Sequence, residues 1–169
     1  MAFIKTGSTV VSFAEYQDVL DTDKRLFEAN EGLTEDIVEQ FLTRSTERVL
    51  TLIRATDWWR DLYLQGVANP QLRTVADLPP VDPTLIIARV SDFTELTVMY
   101  ALWNYLYPYI ADFSKEDNAE RAKIGFYQGK FQMRFDELIN AGDWYDQNAD
   151  GTVASVEKMP GHYAVRRVR

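Results

Sequence analysis

Apolar residues recur at helical spacing over most of the chain and set out its elements before any composition is counted. Ile37, Val38, Phe41, Leu42, Ser45, Val49, Leu52 and Ile53 fall on one face, with Glu39, Arg44, Glu47 and Arg48 opposite. This predicts an amphipathic helix from Glu35 to about Arg54, capped by Thr34 and about 30 Å long. Phe93, Leu96, Val98, Met99, Leu102, Trp103, Leu106, Tyr107 and Ile110 predict an apolar helix opened by Ser91, which Pro108 kinks or ends. A last long helix, capped by Ser114, runs to about Ala141, where Gly142 stops it. Its Tyr127, Phe131 and Phe135 form an i, i+4 stripe. Gly125 and Gly129 sit four apart, and the expected meaning is close approach by a neighbour. Shorter helices are expected over about 12–20, 23–29 and 56–63. Ser12 and Glu15 have the spacing of a capping box for the first of these.

The rest of the chain breaks this period. Residues 1–11 are small and β-branched and predict an extended N-terminal arm. Four of the six prolines (Pro70, Pro79, Pro80, Pro83) fall in or at the end of a loop at 67–83, and residues 84–90 fit either a helical turn or a strand. Beyond Gly142, Asp143-Trp144-Tyr145 and Thr152–Val156 flank Asn148-Ala149-Asp150-Gly151, which predicts a β-hairpin with glycine at positive φ. The expected fold is mainly α: a small helical bundle over 12–142, with a C-terminal β-hairpin and extended termini, the hairpin and a basic arm occupying 143–169.

Charge then separates the end from the body. The net charge is −8, yet the residues from Lys158 onward carry four bases and no acid, which leaves −12 on those before them. Such a body does not attract nucleic acid through its overall field. With 46% apolar and 13% aromatic residues, the 169-residue chain can bury a core. The absence of cysteine removes disulfides, thiolate metal sites and thiol nucleophiles. No secretory leader is expected, because Met1–Ser8 lacks a long apolar run. The most apolar stretch, 96–111, falls short of the roughly 18 residues that suggest a membrane span.

Candidate chemistry is sparse. Asp146, Asn148, Asp150, Thr152 and Glu157 match positions 1, 3, 5, 7 and 12 of a calcium loop, with Gly151 at position 6. A polar turn explains the same residues without an ion, because Asn, Asp and Gly favour turns. Pro160 and Gly142 also leave the loop without the flanking helices of an EF-hand. Trp58 and Trp59, about 100° apart on a helix, cannot share one face: either one packs in the core while the other meets a groove or a neighbouring subunit, or both are core and rim of the same bundle. Arg166, Arg167 and Arg169 give the terminus a basic tip suited to carboxylate or phosphate. No esterase elbow, dinucleotide fingerprint or zincin motif is present, so no enzyme is expected, and one histidine, His162, cannot make a multi-histidine metal site.

The layout from Ser12-Phe13-Ala14-Glu15-Tyr16, through Leu33–Glu39, Ser45–Leu50 and the apolar aromatic helix opened by Ser91, to the long aromatic-lined helix ending at Asp143-Trp144-Tyr145-Asp146 resembles the head–tail connector adaptor (head-completion) proteins of tailed bacteriophages. The likeness spans about residues 12–157, and the loop at 67–83 departs from it. The resemblance implies a structural virion protein with no cofactor. Copies would form a homo-oligomeric, dodecameric ring between the portal protein and a neck or tail-completion protein, assembled in the host cytoplasm. DNA would pass through without sequence-specific binding. Trp58, Trp59 and the terminal arginines would then be partner contacts. The alternative from the residues themselves is a calcium-tuned protein-binding module using the 146–157 loop.

Overall fold

The computed structural model describes residues 3–28, 30, 32–64, 75–111 and 119–158, and they are mainly helical with one small antiparallel sheet. The chain divides into two compact units. One comprises Met1–Val49 with Val90–Glu137, the other Leu50–Arg89 with Leu138–Arg169.

The first unit opens with that sheet. Strands β1 (Ile4–Thr6) and β2 (Thr9–Ser12) pair antiparallel about Gly7, whose φ is +66°. Of the expected extended arm, the described residues therefore fold back on themselves, because β-branched Thr9, Val10 and Val11 favour a ladder once a glycine supplies the turn. Ser12 ends β2 and does not cap a helix. Its hydroxyl binds the amide and carbonyl of Ala14 at 3.2 and 2.6 Å. Helix α1 (Tyr16–Thr22) starts three residues later than the capping-box spacing suggests, and the Asp18 carboxylate accepts from the Glu15 amide at 2.9 Å. Helices α2 (Lys24–Glu28) and α3 (Glu35–Arg54) follow. Val38, Leu42 and Val49 on α3 have no exposed surface, and each contributes roughly 1.5–3 kcal/mol by burial.

Phe13 is the pin of this unit. Its ring packs against Phe3 and Phe93, with centroids 4.4 and 5.3 Å away. Its amide donates to Thr46 Oγ1 at 3.1 Å and its carbonyl accepts from Thr94 Oγ1 at 2.7 Å. Both buried backbone groups are thus satisfied by threonines on two different helices.

The aromatic helix appears as α5 (Val90–Ala101), a π-helical segment (Leu102–Leu106) and α6 (Tyr107–Ile110). Pro108 lacks an amide hydrogen, and the wider turn ahead of it carries the helix past the proline to Ile110, so the helix does not stop there. Helix α7 (Ala119–Ala141) buries Tyr127, Phe131 and Phe135, as their spacing predicts. Gly125 and Gly129 lie on its exposed side, and an added Cβ would meet nothing within 4 Å at either. The close neighbour expected there is not found within the chain's described residues.

In the second unit, α4 (Asp57–Leu64) begins after Thr56, whose hydroxyl accepts from the Trp59 amide at 3.2 Å. A short 3₁₀ turn (Pro83–Leu85) leads to Ile86, which forms an antiparallel bridge with Tyr145. The Ile87 amide donates to the Trp144 carbonyl at 3.1 Å and the Asp146 amide to the Leu85 carbonyl at 3.0 Å. The hairpin expected within 143–156 is not formed among the described residues. Tyr145 pairs with residue 86 instead, and the chain ends its described part in a single helical turn, α8 (Ser155–Lys158). Local side-chain bonds over 146–157 take the place of a ladder.

Candidate functional site

The sequence singles out the turn after α7, and the structure builds it around two buried acids. Gly142 ends α7 at φ +59°, its amide bonded to the Leu138 carbonyl at 3.2 Å. A Cβ on Gly142 would collide with the Lys158 carbonyl and approach Trp58 Nε1 to 2.8 Å. Both the φ value and the crowding therefore demand glycine. Trp144, fully buried, donates through Nε1 to the Leu138 carbonyl at 3.0 Å.

Asp146 then accepts from the amides of Gly151 at 2.7 Å and Asp150 at 3.2 Å. Glu157 accepts from three amides: Gln147 at 2.9 Å, Asn148 at 3.3 Å and Ala154 at 2.6 Å. Their side chains are 2% and 3% exposed. Asp150, exposed, accepts from the Thr152 amide and hydroxyl at 2.8 and 2.7 Å, and these bonds hold its carboxyl below the usual range. Asn148 Nδ2 donates to Asp150 at 3.0 Å. All five residues of the calcium pattern thus belong to one turn, but their bonds run to the turn's own amides and hydroxyl. Among the described residues no group of three or more His, Cys, Asp or Glu side chains is placed to hold a metal ion. Ala149 at φ +57° and Gly151 at φ +87° set the reversal.

The tryptophan pair divides. Trp59 is buried, donates to the Pro79 carbonyl at 3.1 Å and meets Tyr145 edge-on with centroids 5.0 Å apart. Trp58 is half-buried against Trp144, centroids 4.7 Å apart, and reaches the Lys158 carbonyl at 3.3 Å. Trp59 therefore has almost no surface to offer a partner, while Trp58 keeps one face. Burial pushes the Tyr145 phenol up to about 12. Arg89, at φ +54°, clasps Asp143 with two guanidinium nitrogens, and that pairing holds the Asp143 carboxyl below the usual range. The arginines expected at the partner interface, Arg166, Arg167 and Arg169, lie outside the described residues, as do His162, Ser114 and residues 67–74 of the proline-rich loop.

A second cluster, in the first unit, escaped the sequence reading. Asp23, between α1 and α2 and 8% exposed, receives Lys123 Nζ at 2.8 Å, the Tyr127 hydroxyl at 3.0 Å and the Tyr107 hydroxyl on one oxygen. Burial pushes the Asp23 carboxyl up, but hydrogen bonds from Lys123, Tyr107 and Tyr127 outweigh it and hold it below the usual range. Burial and the Asp23 charge push both phenols well above their ordinary value, so they stay protonated donors. Beside the cluster is a cleft of about 220 Å³ lined by Arg25, Asn30, Ile110, Glu120 and Lys123. An ionised acid that holds three donors on one oxygen, two of them neutral phenols, makes a clasp between helices. The only signal in the sequence is Lys123 and Tyr127 four apart on α7.

No family model, no curated protein and no solved structure matches the chain.

Proposed function

We propose that the chain is a structural virion protein, a ring-forming adaptor that joins the portal to the neck or tail and lines the DNA conduit of a tailed bacteriophage. The observation that carries this reading is the construction of the Asp143-Trp144-Tyr145-Asp146 turn, which the resemblance includes beside its pattern of helix lengths. Trp144 is sealed inside, and Asp146 and Glu157 fix the backbone that follows through five amide bonds. That gives a rigid base from which the basic end, 158–169, can reach a partner. The −12 carried by the preceding residues suits a lumen that must not hold phosphate. The arm's four bases suit an acidic docking surface. In this reading no reaction is catalysed and DNA is not read.

Deleting residues 159–169 tests the docking role. The truncated chain keeps its helical circular dichroism, while particles assembled with it show DNA-filled heads without attached tails in electron micrographs. Normal particles from the truncation would overturn the docking role. Absence of the full-length chain from purified particles, read by mass spectrometry, would overturn the adaptor reading itself.

A further inference from the structure

Helix α7 is apolar on two opposite sides. Its inner side carries Tyr127, Phe131, Phe135 and Leu138, all buried. Directly opposite, at 100° per residue, run Ala122, Phe126, Gly129 and Met133, all exposed. Phe126 is 55% and Met133 52% exposed, among the most exposed large apolar residues described. The helix consequently has almost no amphipathic bias, whereas α3 has a strong one. A surface helix ordinarily turns polar residues outward, and an apolar stripe on that side leaves to water an area that contact with another surface would bury. The outer side of α7 is therefore built to be covered, and Gly129 with Ala122 leaves room for another backbone to come close.

Charge chooses the cover. Between Glu120 and Asp136, α7 carries Arg121, Lys123, Lys130 and Arg134 and no acid. Lys123 reaches in to Asp23, and Arg134 lies beside Glu95 and Glu137 at 3.7 and 2.9 Å. Arg121 and Lys130 are exposed and rim the stripe, with Lys130 Nζ 4.7 Å from the centre of the Phe126 ring. Two α7 faces set against each other would oppose their own cations. The rest of the chain, which must carry −12 when these four bases are set aside from the net −8, offers the complementary sign.

We infer that the outer face of α7 (Ala122, Phe126, Gly129, Met133) docks, head to tail, on an acidic face of a second copy of this chain. A head-to-tail contact uses two different faces and propagates into a ring or a filament. This deepens the adaptor reading, which it relies on for the choice of a second copy as occupant.

A benzophenone residue replacing Met133 in the full-length chain, irradiated at about 1 mM, where even a millimolar Kd fills a large share of the sites, reads the contact directly. The expected product is a covalent dimer whose second site, by peptide mass spectrometry, lies outside α7. Phe126→Asp in the same chain removes at least nine-tenths of it. Gly129→Gln supplies the control for folding. An exposed helical glycine replaced by a better helix former raises the melting temperature of the free chain, yet the longer side chain blocks close approach and lowers the crosslink. No intermolecular product, a product joining α7 to α7, or a yield unchanged by Phe126→Asp and Gly129→Gln each overturns the inference. If Gly129→Gln chains still form normal necks in particles, the α7 face falls and the adaptor reading survives. If the wild-type chain is missing from particles, the adaptor reading falls while the crosslink still decides the face.

Discussion

The two units bury acids in opposite ways. In the first, Asp23 gathers side chains that are 84, 100 and 104 residues away in sequence. In the second, Asp146 and Glu157 gather backbone amides from within ten residues of themselves. A buried carboxyl needs donors in either case. Drawn from distant helices, those donors make the acid a clasp whose loss loosens a tertiary contact. Drawn from the adjacent backbone, they make it the frame of a loop, and its loss releases the chain's path. The first arrangement stabilises a fold, and the second presents a surface in one fixed shape.

Removing Glu157 breaks the comparison most severely. Glu157→Ala strips the acceptor from three amides, and at about 1–3 kcal/mol for each buried donor left unmade, partly recovered by water, the expected loss is about 3 kcal/mol. Denaturant unfolding measures the loss. Limited proteolysis should show new cleavage between residues 143 and 158 before any elsewhere. A chain that resists cleavage there would show that Trp144 and the bridge at Ile86 hold the turn without the acid.

Asp23→Asn is expected to cost less, about 2 kcal/mol, because Lys123 is 36% exposed and its ammonium can turn to water. The pH dependence separates this acid from its neighbours. Its folded pKa lies below the ordinary 3.8, so its contribution is complete above that value and is lost as the pH falls through the lower folded pKa. At the other end, Tyr107 and Tyr127 have raised pKa values. Their contribution is complete below the ordinary 10.0 and declines as the pH rises beyond it, where the unfolded phenols ionise first. Denaturant midpoints followed from pH 2 to 11 should fall at both ends, and Asp23→Asn should flatten both limbs. An acid limb unchanged in the variant would assign it to other carboxyls.

How much of this could be read from the chain alone follows the same division between near and far. The α3 limits and the end of α7 at Gly142 come from local signals: a helical period, Thr34 before it, and a glycine the left-handed turn requires. The oxygens of 146–157 were likewise legible as a group, because their partners lie within the same stretch. Ser12 misled for a local reason as well, since its spacing to Glu15 fits a cap while the β-branched residues before it favour a strand. Asp23 was invisible, because nothing within several residues reveals three donors supplied by α6 and α7. The two sides of α7 can be sorted only by the core that covers one of them, and the close neighbour that the spacing of Gly125 and Gly129 implies is not supplied by the described residues.

The smallest expected effect concerns calcium and sharpens the contrast at the loop. The pattern of Asp146, Asn148, Asp150, Thr152 and Glu157 satisfies an ion-binding spacing, and a carboxylate has about four lone-pair sites, so amide bonds alone do not use up its oxygens. An ion nevertheless needs several of them to converge, and the Asp146, Asp150 and Glu157 side chains are turned to separate amides of the turn. Binding would require some of these bonds to break, at about 1 kcal/mol or more each, before any ion contact forms. Millimolar calcium is therefore expected to leave the melting temperature unchanged and to give no heat on calorimetric titration. A binding ion would instead stabilise the chain in proportion to RT ln(1 + [L]/Kd), about 2.7 kcal/mol at a hundredfold excess over Kd. A rise of that size, abolished by Asp150→Ala, would replace the self-contained frame with a metal-set one and move the calcium-tuned binding module ahead of the adaptor.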